Sequence, residues 1–528
     1  MENKKTKIIS IGAVVALALT VITATYAYFQ AQVGDPAVAD IKVNANTVDT
    51  FTFSNGSAIS FSINQDNFAS GAGNQTGSTY ASAMLTANNK TNTATEHYYM
   101  YLNIENNTFT YSINTNTPEI IMTVKNSVGH EVTDISTLNH VIVTGANGTQ
   151  VSGYDITNKS GLITLFDNRE ITTTSSKEEK WNITITFVNY DENQNANAGK
   201  SMSAKVMIQK EVIPQVVSDV CSNGTNLATC ITTLANKSIP SATNIYHHDS
   251  SLSNGAGDNS YRYAGASDVV NNFVCFGSNE STCPTDNLYR IIGVFGNNVK
   301  LIKYDYGTTD ELGTDGDYNQ TYKEWGMDST YKGTYGDGER IGVYYWNNTT
   351  QTNTWSESLL NKTNLNTNFI NNIGEEWANK IATTTWKVGG NTYSNIYSKT
   401  PSVVYQNEIV NPVTTNTTDN ATEYSAKIGL MYVSDYGFAA EPSAWTLTMG
   451  NYNNTTATST NWMYMGLYEW TISRNADYSN SAFGVGSDGG VNNYRVSNDL
   501  AVRPSFNLES SITYVSGSGS ASDPMVIN

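Results

Sequence analysis

Residues able to do acid–base or covalent chemistry are few and unevenly placed in this chain. Its five histidines are His97, His130, His140, His247 and His248, so none follows residue 248. The four cysteines, Cys221, Cys230, Cys275 and Cys283, fall in one window. Ser-His triads, Cys-His pairs and histidine-mediated proton transfer are thereby excluded within residues 251–528. Carboxylate chemistry remains open. Glu375 and Glu376 adjoin Trp377, and Glu469 precedes Trp470. A glycosidase needs two carboxyl groups facing across a cleft, whereas helix-face and core-edge roles fit these positions more simply. Glu469 is expected to pair with Arg474, and Arg503, before Pro504, to anchor the last strand. No catalytic residue is assigned.

Metal chemistry has three candidate places. His247, His248 and Asp249 are adjacent and want a fourth ligand. The stretch YDYGTTDELGTDGDYN carries Asp305, Asp310, Glu311, Asp315 and Asp317 in a Gly-rich loop. Closely spaced oxygen ligands suit Ca²⁺, although no Glu closes an EF-hand register. Asp191, Glu192 and Asn193 read as a solvated turn. No metal is assigned and no cofactor is expected, with calcium in the 305–317 loop the one option kept open. The even cysteine count in a chain that looks exported points to two disulfides. Local pairs Cys221–Cys230 and Cys275–Cys283 are the simplest arrangement, and their spacing is unlike a zinc CxxC.

The elements that must position these residues are β-rich. Charged residues make up only 14% of the chain, and polarity comes from Asn, Thr, Ser, Gly and 33 Tyr. Asn and Gly accept turn conformations, and Thr and Tyr suit strands. The net charge of −18 argues against nucleic acid as a partner. At the N-terminus Lys4, Lys5 and Lys7 precede an apolar stretch from Ile8 to Ala24. Its length lies between a signal h-region and a minimal membrane span. Residues 1–27 are therefore a signal peptide or membrane anchor, the sole expected contact with a membrane. Thr25 and Ala27 fit a cleavage site before Tyr28 and Phe29.

Residues 28–213 alternate apolar and polar side chains in short runs: DIKVNA, TFTFS, AISFSIN, HYYMYLNIE, EIIMTVKNS, HVIVTG, WNITITFVNY and SAKVMIQKEV. Such runs between Asn/Gly turns predict a β-sandwich, jelly-roll or immunoglobulin-like. In WNITITFVNY the pattern Trp181, Ile183, Ile185, Val188 implies one buried face with a slip near Phe187. The leader ending Thr25, Tyr26, Ala27, Phe29 and the stretch ITFVNYDENQNANAGKSMSAKVMIQ resemble the TasA/camelysin family of secreted matrix-fibre proteins. The resemblance implies a closing hairpin in that stretch, and self-association into fibres in which residues 28–45 complete a neighbour's sheet. Pairing of 28–45 within its own domain is the plainer alternative.

Residues 214–250 read as a linker with a Cys loop and a short helix near Leu227–Ala235. After it, eight of the nine Trp fall at or beyond Trp325, forming either an aromatic core or a binding surface. LYRIIGVFGNNVKLIKYDYG predicts a hairpin. Leu359, Leu360, Phe369, Ile370, Ile373, Trp377 and Ile381 predict two short helices. YRIIGVF, the W-x-x-S-x-L stretch at Trp355–Leu360, GLMYVSDYG and VRPSFNL with GSGS and DP after it resemble a domain of exported Firmicutes proteins with a C-type-lectin-like fold, shared with formylglycine-generating enzymes. That resemblance implies an α+β domain over 251–528 with variable binding loops. The reactive cysteine pair of the formylglycine-generating activity is missing. Trp462, Tyr464, Tyr468, Asn492, Asn493 and Tyr494 are the expected ligand-binding residues, a packed core being the alternative for Trp462 and Tyr464. The expected protein is mainly β and non-enzymatic, a cell-surface or matrix protein presenting a module to a host or neighbour-cell protein or glycan. A secreted carboxylate-dependent carbohydrate-active enzyme and a purely structural matrix protein are the alternatives.

Overall fold

Antiparallel strands dominate the chain, which divides into two units, Met1–Val212 and Ile213–Asn528. The computed structural model describes residues 49–64, 67, 72–88, 92–135, 137–322, 331–333, 340–413 and 421–528. The leader, the cleavage residues Thr25, Ala27, Tyr28 and Phe29, the 28–45 segment and Trp325 lie outside the described residues.

In the first unit the described strands are β1 (Thr50–Asn55), β2 (Ile59–Ser62), β3 (Gln75–Thr86), β4 (Ala94–Asn107), β5 (Ile120–Asn126), β6 (His140–Thr144), β7 (Gln150–Asp155), β8 (Gly161–Thr173), β9 (Ser176–Phe187) and β10 (Ser201–Gln209). They form a six-stranded sheet, β1-β3-β9-β5-β7-β6, and a four-stranded sheet, β2-β10-β4-β8. Alternate residues of both sheets fill one core: Ala81, Ala83 and Leu85 of β3 and Ile183, Ile185 and Phe187 of β9 join Met100, Leu102 and Ile104 of β4. Each fully buried Ile, Leu or Phe contributes about 1.5–3 kcal/mol. The expected slip at Phe187 does not occur. Phe187 continues the Trp181-Ile183-Ile185 face, and Val188 lies past the end of the strand. The expected closing hairpin is also corrected, because β9 and β10 belong to different sheets. Fully buried Glu119 draws the joining loop inward, accepting from Gln194 Nε2 and Asn197 Nδ2 at 2.8 Å each.

In the second unit the expected linker is structural. Asn226 caps helix Leu227–Lys237 by accepting from Thr229 N. Its Leu227, Cys230, Ile231 and Leu234 lie on one stripe and enter the unit's main core. Ile245–His247 is a strand of a seven-stranded sheet that also holds the predicted hairpin, Leu288–Phe295 with Asn298–Lys303. Gly296 takes φ +61° in its two-residue turn, a conformation glycine adopts without strain. A six-stranded sheet contains Glu469–Arg474, Ser481–Val485 and Val491–Arg495. Disulfides join Cys221 to Cys230 and Cys275 to Cys283. Trp346, Trp355, Trp377, Trp386, Trp445, Trp462 and Trp470 are all buried, so these clustered tryptophans are core.

Candidate functional site

Four neighbouring strands of the seven-stranded sheet place Arg262, Gly293, Lys300 and Asn507 in one row. Arg262 lies opposite Gly293, Gly293 opposite Lys300, and Lys300 opposite Asn507. Directly opposed residues share a face of the sheet. Gly293 is required there, because a Cβ would stand 2.4 Å from the Tyr261 carbonyl oxygen and 3.2 Å from Arg262 Cα. The two long basic side chains therefore flank a position without a side chain.

Asp435 meets them from the first turn of helix Val433–Phe438. Its Oδ2 accepts from Lys300 Nζ at 2.5 Å and from the Tyr432 backbone N–H at 2.9 Å. Its Oδ1 stands 3.6 Å from Arg262 Nη1. Arg262 also donates through Nε to Ser260 Oγ at 2.8 Å and through Nη2 to Asp258 Oδ2 at 2.7 Å. Aromatic rings surround the cations. Lys300 Nζ lies 4.5 Å from the Tyr432 ring centre and 5.2 Å from that of Trp386. The Arg262 guanidinium lies 4.7 Å from Phe295 and 5.0 Å from Phe438. Such contacts stabilise a desolvated cation.

A cavity of about 220 Å³ opens over this cluster, with Trp386, Tyr405 and Tyr432 among its walls and Thr385, Lys387 and Asn507 around it. Burial holds the Lys300 ammonium below its ordinary range, while Asp435 pulls it back up. Burial alone would raise the Asp258 carboxyl, but Arg262 and Ser260 hold it down at about 2. Behind the cavity, burial pushes Glu408 up to about 7, against hydrogen bonds from Ser434 and Ser473. Its two oxygens accept from Ser434 N at 2.8 Å and Ser473 Oγ at 2.6 Å. The arrangement supplies donors, an acceptor and apolar ring surface together, the combination that binds and orients a small polar ligand.

The residues expected to bind ligand are not brought into one site. Trp462 and Tyr464 are core side chains and cannot be presented as expected. Trp462 Nε1 donates to the Tyr263 carbonyl at 2.8 Å, and the Tyr464 hydroxyl donates to that of Ser487. Both polar tips have thus found backbone partners, which lets two large rings be buried. Asn493 accepts from Asn475 Nδ2 at 2.7 Å. Tyr468 and Asn492 are exposed, and Tyr494 packs edge-on against Tyr468 with ring centres 5.9 Å apart.

Glu469 pairs with Arg503, at 2.7 and 2.9 Å, and not with Arg474, whose Nε donates to the Val388 carbonyl. The 305–317 carboxylates do not converge. Asp305 accepts from Tyr331, Glu311 caps Thr308, Asp315 accepts from Asn368 and Asp317 caps Leu360. His248 turns into the core against Phe438 and Trp445, while His247 stacks on Tyr261. Among the described residues no three His, Cys, Asp or Glu side chains are grouped to hold a metal ion, and no helix is long and apolar enough to cross a membrane.

The cavity itself was not foreseen, because Lys300 and Asp435 stand 135 residues apart. One signal lay in three stretches singled out in the sequence. YRIIGVF supplies Gly293 and Phe295, GLMYVSDYG supplies Tyr432 and Asp435, and VRPSFNL supplies Asn507. A scan against protein-family models finds no match to the chain, and a search of curated proteins finds none.

Proposed function

We propose that this is an exported surface or matrix protein that binds a ligand without transforming it. The N-terminal sandwich serves as a stalk or fibre subunit, and the lectin-like C-terminal unit holds a glycan or a protein group in the Lys300–Asp435–Arg262 cavity. The observation that carries this reading is the cavity floor. Three almost fully buried charged side chains meet there beneath an open space lined by aromatic rings. The two disulfides suit an oxidising, extracellular compartment.

Glu408 is the observation that favours an enzyme. A carboxyl held near 7 is what a general acid needs. However, Glu408 is not part of the cavity wall, and both its oxygens are already engaged. The binding reading therefore fits better. The test is a glycan array and a host-protein panel probed with the secreted chain, beside a parallel assay for glycan hydrolysis. Binding without turnover is expected. Silence on both panels, or steady release of sugar from a bound glycan, overturns the proposal.

A further inference from the structure

The hydrogen bonding around Asp435 is incomplete in a way that specifies a chemical group. Oδ2 is filled, by Lys300 and the Tyr432 backbone. Oδ1 faces Arg262 Nη1 across 3.6 Å, inside ion-pair range but too long for a hydrogen bond. Lys300 Nζ has three protons to donate and uses one on Asp435. Donors and an acceptor thus stand open side by side, on side chains at most 5% exposed. All three residues line the cavity, where a ligand can reach them.

We infer that the cavity seats a neutral, hydroxylated ring, one sugar residue, with a hydroxyl placed between Arg262 Nη1 and Asp435 Oδ1. The inference rests on the proposed binding role of the same cavity. A hydroxyl both accepts and donates, so it answers the guanidinium and the carboxylate at once. A carboxylate or phosphate would satisfy the donors but stand against Asp435. An ammonium would satisfy Asp435 but stand against Lys300 and Arg262.

The charges agree. Arg262 and Lys300 are balanced by Asp258 and Asp435, and Lys387 at the rim pairs with Glu423. Among the described residues of the cavity, no net charge is left for a charged ligand to neutralise. The wall suits the apolar face of a ring. Gly429 packs on one side of Trp386, where a Cβ would come within 2.7 Å of three ring atoms. Lys300 Nζ lies over the same ring, which lines the cavity. At about 220 Å³ the cavity lies just below the ~300–1,000 Å³ of ordinary ligand pockets, which suits one ring better than a chain.

The experiment is saturation-transfer NMR on the secreted full chain. The probes are glucose, galactose, mannose and N-acetylglucosamine, against glucuronic acid and glucosamine. At least one neutral sugar is expected to bind tenfold or more tightly than the acid or the amine. Thr385→Trp, at an exposed rim position, should abolish that binding with an unchanged circular dichroism spectrum. Asp435→Asn should narrow the preference over glucuronic acid by removing the repelling charge. Binding of glucuronic acid or glucosamine as tight as any neutral sugar, blocked by Thr385→Trp, overturns the ligand class and leaves the binding site standing. Sugar binding that Thr385→Trp does not affect overturns the site, and no binding by any probe overturns this inference.

Discussion

Glu408 and His248 should titrate against each other in the stability of the C-terminal unit. Burial raises Glu408 from its ordinary 4.5 to about 7, the Ser434 and Ser473 hydrogen bonds only partly opposing it. Between those values the folded state holds a proton that the unfolded chain releases. Its stabilisation is full below 4.5 and is lost as pH rises through 7. His248 behaves oppositely. Burial first, then Arg262, lowers it from 6.5 to about 2, and its Nδ1 accepts from the Ala256 N–H at 3.0 Å. Between those values the unfolded chain binds a proton that the folded state refuses, so its contribution is lost as pH falls below 6.5. Each slope is about 1.36 kcal/mol per pH unit. From 4.5 to 6.5 they cancel. Glu408→Gln removes the falling slope, so the variant should gain about 2.7 kcal/mol on wild type between roughly pH 4.5 and 6.5. His248→Gln removes the rising slope and should lose as much on wild type over the same range. Urea midpoints at about pH 4.5, 5.5 and 6.5, read by tryptophan fluorescence, measure both. Slopes shared with wild type cancel in each difference. A stability difference independent of pH in either variant would refute the reasoning for that residue.

Glu469→Gln leaves Arg503 buried without its counter-charge and should cost about 3–5 kcal/mol, measured by urea denaturation; Glu469→Gln with Arg503→Met should recover part of that loss. Removing the Cys221–Cys230 bridge, a sequence separation of 9, should cost roughly 2.5 kcal/mol by the loop-entropy relation, seen as a lower denaturation midpoint for the Cys221→Ala/Cys230→Ala pair. Gly153→Ala sets a Cβ 2.3 Å from the Met122 carbonyl oxygen. The β5–β7 pairing should loosen, with faster amide exchange along β7 while the C-terminal unit is unchanged. Glu119→Ala takes one acceptor from each of buried Gln194 and Asn197, leaving them only the Val188 and Thr110 carbonyls, and should cost about 1–3 kcal/mol and expose residues 189–200 to proteolysis.

How much was legible depended on whether the information was local. Strands with large alternating side chains, such as HYYMYLNIE and EIIMTVKNS, could be read because their apolar period is two. β3 was missed because QTGSTYASAMLT buries Ala81 and Ala83, side chains too small to mark an inward face. β8 was missed because Asn168 at φ +48° sits where its pairing with β4 shifts register, which breaks the alternation. The hairpin at Gly296 and the helix at Leu227 carried their own turn and cap residues. Trp462 and Tyr464 could be read as display residues or as core because loop sequence surrounds them, and the core alternative holds. Their polar tips are met by backbone carbonyls outside that local sequence, at Tyr263 and Ser487, so the rings can join the core. The cavity was hidden for the same reason, since its row of Arg262, Gly293, Lys300 and Asn507 exists only after four strands have paired.

Two buried charge clusters in the C-terminal unit show why one is assigned to structure and the other to binding. Arg503 and Glu469 meet through two hydrogen bonds, and Arg503 Nη2 also donates to the Met463 carbonyl at 2.6 Å. Both carboxylate oxygens are engaged, so the pair ties strand Glu469–Arg474 to the segment between Ala501 and Ser505 and offers nothing to a ligand. Lys300, Asp435 and Arg262 are buried as deeply, yet among the described residues one carboxylate oxygen and Arg262 Nη1 lack hydrogen bonds to protein groups. Desolvating three charges is costly, and hydrophobic replacement of a buried charge cluster is often neutral or stabilising. Stability alone therefore gives little reason to keep this cluster, and still less to leave it half satisfied under an opening. A ligand hydroxyl that completes the set would recover the missing hydrogen bonds on binding. That difference between a closed pair and an open triad, more than burial or charge, is what directs attention to Asp435.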